Sequence, residues 1–578
     1  MKELLEKAFA EKGLTVPTAN ESAVKQVPSR FSKKRKHNQT PQPRSPQTKR
    51  IPRSPAGSKA KMQVPEKQNA EKAIDISCYS NTQKPKPPSQ GKSLKISISK
   101  AAKVSIPDNL SDRRLPLSKC VEYGQVTQCC EGAEVQDERE VVIGLDFGTS
   151  SVKAVVGDRG LGKAFAVPFY EASDIDAYLL PSRLYLSDGK FALFGKDQPA
   201  YRDLKLSLIA HPTEKCYQIP VIGYISLVLQ HIRGWLYKEH AEIYSTCQIV
   251  WTLSIGLPAE YHLENELLFA FQQVANISWE VSLSEGEVTE ELINKVYTEY
   301  QRTGQQGIKT APVDDCEIRI VPEIAAQIYG FVNSSKFNDR DKNFYLMVDV
   351  GAGSVDSSLF HVNRGRGGKW SFEFYTSVVA PNGVMNLHRE RVNWWLKQLS
   401  GLNNTQNLVQ ELRQLKYPTD WVSPLPLSFE QYLSGVELEY GDEHNPDLLF
   451  FNVRLLKQVR GETYSVAKKK NLIGEHDLKH IPAFYCGGGM QIPLYRDLRE
   501  KLKRHPNCSW MKAEPRTIEL PEDMEAPGVE RKNYHRLSVA YGLSFLNVKE
   551  VTQIKPFVEP IESTEFSWRD NYIDKDMC

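Results

Sequence analysis

The chain has no run of eighteen apolar residues, and its opening stretch MKELLEKAFAEK lacks the unbroken apolar core of a secretory leader. No membrane span is expected, and the composition predicts a soluble intracellular protein, cytoplasmic or, in a eukaryotic cell, nuclear. Ten cysteines are present but none falls in a C-x-x-C spacing, so neither a zinc site nor a disulfide framework is predicted. Between Val16 and Ser111 aromatic residues are few and no periodicity lasts, while Pro, Ser, Gln and Lys dominate. Such a segment cannot bury enough apolar area to offset the entropy of ordering, which predicts a disordered tail.

A second imbalance lies in the distribution of charge. The net charge of +3 conceals 26 Lys and Arg against 9 Asp and Glu in residues 1–120, and 48 against 62 in the remainder. A basic tail thus precedes an acidic body. SKKRKH, Ser32 to His37, suits nucleic acid, anionic lipid or an import receptor, the Arg-Ser-Pro repeats at Arg44 and Arg53 suit regulatory phosphorylation, and residues 16–114 are the candidate tether to an acidic partner or nucleic acid. Leu4, Leu5, Ala8 and Phe9 share helical spacing and predict a short N-terminal helix.

The stretch VVIGLDFGTSSVKAVVGD, Val141 to Asp158, is laid out like FYLMVDVGAGSVDSSLF, in which Asp349 follows Asp146 by 203 residues. In each, a β-branched run ends in Asp, passes a small-residue turn and resumes as a second apolar run, the pattern of a buried hairpin. Gly148, Gly351 and Gly353 have no Cβ, so their turns can bring backbone N–H groups close to an anion such as phosphate. Asp146 and Asp349 would face the same anion. Two carboxylates beside a polyphosphate require a cation between them, which predicts Mg²⁺ held partly through water.

Length predicts three to four domain-sized units. Order is expected from Glu138, with two short strands around the Ser-Asp-Gly turn after Leu179, a helix over Val221 to His240, and a strand over Ile249 to Pro258. A helix led by Ala259 and Glu260 should follow.

In this order the parts resemble the nucleotide-binding domain of the 70-kDa heat-shock protein family, the DnaK-type chaperones, within the superfamily of actin and the sugar kinases. The resemblance runs from Val141 to about Phe545. IGLDFGTSS is similar to the first phosphate motif, EIRIVPEIAAQIYGFV to the first connecting segment, VDVGAGSVDSSLF to the second phosphate motif, YCGGGMQIP to the adenosine motif and HRLSVAYGLSF to the second connecting helix. It implies an α/β, two-lobed actin-like ATPase fold of duplicated ribonuclease-H-like mixed sheets, with lobe I over 138–345, lobe II over 346–546, and tails over 1–137 and 547–578. It implies ATP and Mg²⁺ as ligands, the metal held by Asp146 and Asp349, and Lys205 and Glu323 as catalytic residues beside them. Thr149, Ser150, Gly351, Gly353, Ser354 and Asp356 would cradle phosphate, and Gly487, Gly488 and Gly489 the nucleoside.

The resemblance departs at the base. Met490 and Gln491 stand where the family carries the arginine that stacks on adenine, Arg536 takes the place of an Asp, and ELRQLKYPTDW, with Glu411 and Lys416, replaces the adenine cluster. About 33 residues follow Phe545, so no peptide-binding domain is expected there. The expected function is an ATP-hydrolysing switch read by a protein partner in a complex. An actin-like polymerising ATPase and a non-hydrolysing nucleotide sensor or scaffold are the alternatives.

Overall fold

The computed structural model describes residues 94–105, 114–117, 120–121 and 137–554, apart from 196–198, 285, 304–315, 339, 366–367, 417–424 and 504–509. The predicted N-terminal helix, the basic cluster and the repeats of the tail lie outside these residues. Among the described residues no helix is long and apolar enough to cross a membrane.

The fold is α/β, built on two mixed sheets. In the first, a hairpin of β2 (Asp137–Phe147) and β3 (Ser151–Asp158) continues antiparallel into β4 (Lys163–Ala166). On its other side β2 pairs in parallel with β8 (Cys247–Leu257), which pairs in parallel with β9 (Cys316–Pro322). Short β5 (Leu180–Pro181) joins β3, and β16 (Met524–Glu525) joins β4. In the second sheet β10 (Phe344–Val350), β11 (Val355–Arg364) and β12 (Trp370–Ala380) form the antiparallel series, while β14 (Lys479–Cys486) and β15 (Lys512–Arg516) extend it in parallel beyond β10. Five strands of each sheet therefore share one order, third-second-first-fourth-fifth. The hairpins form where the apolar runs predict them, because alternation on β2 is lost to burial on both faces: Val141 to Phe147 are all buried.

β6 (Tyr185–Ser187) and β7 (Lys190–Ala192) close through Asp188 and Gly189, both at positive φ, as Ser-Asp-Gly predicts. The long helix runs over Lys215–Glu239, starting before Val221, and carries Pro220 in its first turns. Ala259 and Glu260 do not lead a helix, which begins at Asn265 after a short 3₁₀ turn. Glu260 instead accepts a hydrogen bond from the backbone N–H of Val379 on β12, which joins the first half of the chain to the second sheet.

Two helices connect the sheets. Glu323–Val332 leaves β9, and Ser538–Phe545 lies across β2 and β3. They touch backbone to backbone, since a Cβ at Gly542 would collide with the Ala326 carbonyl oxygen. A Cβ at Gly157 would lie 2.7 Å from the Ser544 carbonyl oxygen, so the same helix sits equally close to β3. One apolar cluster runs through this contact, with Val155 and Ala164 of the first sheet, Met347, Phe360 and Phe484 of the second, and Ile324, Ala325, Val539 and Leu543 between them.

Two boundaries need correction. Lys95–Val104, assigned by composition to the disordered tail, is a strand, β1, antiparallel to β13 (Leu433–Glu439). Its Ile98, Ala102 and Val104 pack against the cluster of Trp395, Leu399, Leu412 and Phe429. Leu117 N–H donates to the Phe169 carbonyl 2.9 Å away, which ties a second tail segment to the chain just after β4. At the other end, Val548–Gln553 forms β17 and pairs in parallel with β12, so the second sheet extends past residue 546. Strand β16 and helix Ser538–Phe545, placed by the contiguous division with lobe II, return to the first sheet.

Removing residues 1–105 should lower the melting temperature of the remaining chain, because the apolar face of β13 loses its cover. Gly542→Ala should cost about 1–3 kcal/mol or more, as an added methyl has no room between two backbones. Thermal melts of both variants check this, and an unchanged transition for Gly542→Ala would refute the close contact.

Candidate functional site

The two hairpin turns meet. Thr149 of the first turn lies against Gly353 of the second, where a Cβ would sit 3.1 Å from Thr149 Cγ2 and 3.4 Å from Leu206 Cδ1. Gly148 N–H donates back to the Asp146 carbonyl at 3.0 Å, and Gly351 N–H to the Ser354 carbonyl at 2.9 Å. Ser182 of the Pro-Ser segment clamps the first turn: its hydroxyl donates to the Gly148 carbonyl at 2.6 Å and its N–H to the Ser150 carbonyl at 3.0 Å. Asn386, in the helix Val384–Leu399, holds the second through a 2.6 Å bond from its amide to the Gly353 carbonyl. Thr149, Ser150, Gly351 and Ser354 keep part of their surface accessible, so the turns border an open space.

Directly opposite Asp146 in the β2–β3 register is Lys153, and its ammonium donates to Asp146 Oδ2 at 3.0 Å. The equivalent place in the second hairpin, opposite Asp349, holds Asp356. The hairpins are thus alike in backbone and opposite in charge at one position. Lys153 was not singled out from the sequence; a seven-residue step from Asp through a tight turn is the signal that could have found it.

Lys205 and Glu323, 118 residues apart, form a buried ion pair between Nζ and Oε1. Asp203 in a left-handed conformation starts the helix Leu204–Ala210 that presents Lys205. Glu323 is the first residue of its helix, immediately after β9, and Gly256 on β8 leaves the space beside its Cγ. Burial raises the proton affinity of Glu323 above its ordinary value; the Lys205 ammonium opposes that shift and the Asp146 charge adds to it. Asp349 is pushed up to about 7, by burial first and then by Glu323 and Asp146. Asp356 is also raised well above its ordinary value, by burial first and then by Glu323, Asp349 and Glu260.

Asp146, Glu323, Asp349 and Asp356 therefore act on one another within one buried region, with Lys153 and Lys205 as its ammonium groups. Asp349 Oδ1 and Asp356 Oδ2 are buried without a hydrogen-bond partner among the described residues. Buried carboxylate oxygens in that condition are costly, and a cation with its water shell would satisfy them. Among the described residues no three His, Cys, Asp or Glu side chains converge as a protein-only cage for a metal. The donor set fits an ion bound by two carboxylates and water rather than one enclosed by protein.

Gly487 follows β14 with φ +85°, and a Cβ there would overlap Asp349 Oδ1 and the Val350 carbonyl oxygen. The Gly487–Gly489 turn is thus placed beside the acidic region, with Gly488 exposed. Arg536 lies against it: a Cβ on Gly488 would be 3.6 Å from both Nε and Nη2 of the guanidinium. The structure does not bring Glu411 to these residues through any contact among the described residues; it sits in the helix Gln406–Leu415, whose buried face packs with Trp395 and Phe429.

Raising a carboxyl pKa in the folded state makes folding less favourable as pH climbs from the unfolded value, 3.8 for Asp349, to the folded value of about 7. Asp349→Asn should therefore raise the melting temperature of the ligand-free protein at pH 7.5, by a margin that shrinks toward pH 5. Buried His231, His262 and His388, each lowered to about 4, shift stability in the opposite direction with pH, but they cancel between variant and parent. An equal margin at both pH values, measured by thermal melts, would refute the repulsion.

A comparison with known protein families matches none to this chain, and a search of curated proteins finds no relative.

Proposed function

We propose that the chain is an ATP-binding and ATP-hydrolysing protein of the kind its motifs resemble, with the two-lobed actin-like fold, acting as a nucleotide-driven conformational switch in a protein complex. The observation that carries this reading is the buried Lys205–Glu323 pair beside Asp146 and Asp349, at the place where two glycine turns meet. The shared order of five strands in each sheet supports a duplicated fold, and the turns lie at the ends of β2 and β10 where such sheets commonly bind ligands.

In this reading the turn amides around Gly148 and Gly351 and the hydroxyls of Thr149, Ser150 and Ser354 orient the β- and γ-phosphates. Lys153 holds Asp146 in place, and Asp146 and Asp349 would hold Mg²⁺. The ion, when bound, supplies charge neutralisation on the polyphosphate. Glu323, with its proton affinity raised by burial, accepts a proton at its carboxylate from the attacking water. Lys205, paired with Glu323 Oε1, keeps that carboxylate aimed and places a positive charge beside the transferring phosphoryl. The two connecting helices, in backbone contact at Gly542, form the hinge through which phosphate binding would reach both sheets. The basic tail serves as the tether to an acidic partner or nucleic acid.

Single-turnover hydrolysis of Mg·ATP and Mg·GTP by the full chain tests the reading, with binding followed separately. Lys205→Ala and Glu323→Gln should each slow hydrolysis by about 100-fold or more, with binding held within about tenfold. Tight binding with no turnover in the parent would instead identify a sensor, and absence of nucleotide binding would overturn the proposal.

A further inference from the structure

Arg536 is a cation at the edge of the site. It ends the 3₁₀ turn Arg531–Arg536 and makes no hydrogen bond or ion pair with any described residue. Part of its surface meets solvent, yet burial is the main influence on it and lowers its proton affinity; the field of Asp176 opposes that shift and the field of Arg114 adds to it. Asp176 is itself exposed, and its backbone carbonyl is taken by Arg114 at 2.6 Å. Among the described residues no carboxylate forms an ion pair with the Arg536 guanidinium.

Two neighbours line the same turn. His535 bonds through Nδ1 to the Lys532 carbonyl at 2.8 Å and has a backbone hydrogen bond with Gly487. Arg499, from the helix Pro493–Lys503, lies 5.7 Å over the Tyr485 ring with its Nε buried and unpartnered, and its charge reaches His535. The Gly487–Gly489 turn thus separates two regions of opposite sign. On one side Gly487 abuts Asp349; on the other Gly488 abuts Arg536. A guanidinium whose donors reach solvent and are taken by no described residue is open to an anion, and its planar fork matches phosphate oxygens.

We propose that Arg536 binds the phosphate ester nearest the nucleoside, so that a ligand lies across the Gly487–Gly489 turn with its outer phosphates toward the acidic region and its inner phosphate on the guanidinium. This rests on the nucleotide reading of the site and adds its phosphate-recognition residue. The guanidinium lies alongside Gly488, and no described residue takes its N–H groups. Unused donors call for an acceptor, which a phosphate provides and a stacked base does not. Arg536 thereby compensates from another segment for the cation that the stretch after Gly489 lacks, and it makes affinity depend on the inner phosphate more than on the identity of the base.

The test is calorimetric titration of the full chain with Mg·ADP, adenosine and inorganic triphosphate, in the parent, Arg536→Gln and Arg536→Lys. Arg536→Gln should weaken Mg·ADP and inorganic triphosphate by about 10- to 100-fold and leave adenosine within about twofold. Arg536→Lys, which keeps the charge but loses the fork, should show a smaller loss confined to the phosphate-bearing ligands. If Arg536→Gln does not fold, the Lys variant carries the same comparison. Unchanged Mg·ADP affinity in a folded variant, or a loss for adenosine equal to that for Mg·ADP, would overturn the assignment while leaving the nucleotide reading intact. Failure of the parent to bind Mg·ADP or inorganic triphosphate would overturn both.

Discussion

The arrangement depends on one close approach, that of Gly542 to the carbonyl of Ala326. Two helices that touch without side chains between them can bring together strands from both sheets at short range, because each added methylene would move the axes apart. Helix Ser538–Phe545 rests on β2 and β3, and helix Glu323–Val332 carries Glu323 at its first position. Tight contact therefore fixes where Glu323 stands relative to Asp146 and Asp349. The core cluster that crosses the contact supplies the apolar burial that holds it.

Against that packing works a local electrostatic cost. Four acidic side chains influence one another in a region where burial has already raised Glu323, Asp349 and Asp356. Lys205 and Lys153 offset part of the repulsion through contacts with Glu323 and Asp146, but among the described residues Asp349 Oδ1 and Asp356 Oδ2 have no hydrogen-bond partner. In the proposed reading a ligand would use this site, cationic where Asp146 and Asp349 lie and anionic where Arg536 and Arg499 lie.

Much of the framework was legible in the residues. The paired hairpins were visible because both strands of each are buried on both faces, which leaves long β-branched runs around a small-residue turn. The β6–β7 turn was visible because Asp188 and Gly189 tolerate positive φ. Strand β1 was missed although Ile96 and Ile98 alternate with Ser, since a short alternation inside a basic, proline-rich stretch carries little signal without its partner β13. Strand β17 and the return of β16 to the first sheet were missed for a related reason: pairing between strands hundreds of residues apart leaves no local mark.

For the site the division is similar. Asp146, Asp349 and the glycine turns announced themselves by their repeated layout, and resemblance pointed to Lys205 and Glu323. Lys153 needed the register, Glu260 needed β12, and Arg536 needed the Gly487–Gly489 turn to come alongside. The sequence by itself determined the two hairpins, their glycines and the Asp ending each first strand, because local sterics and hydrophobic periodicity act between near neighbours. Only the tertiary structure decided which charges meet, because burial and Coulomb interaction depend on distances through space that chain separation does not set.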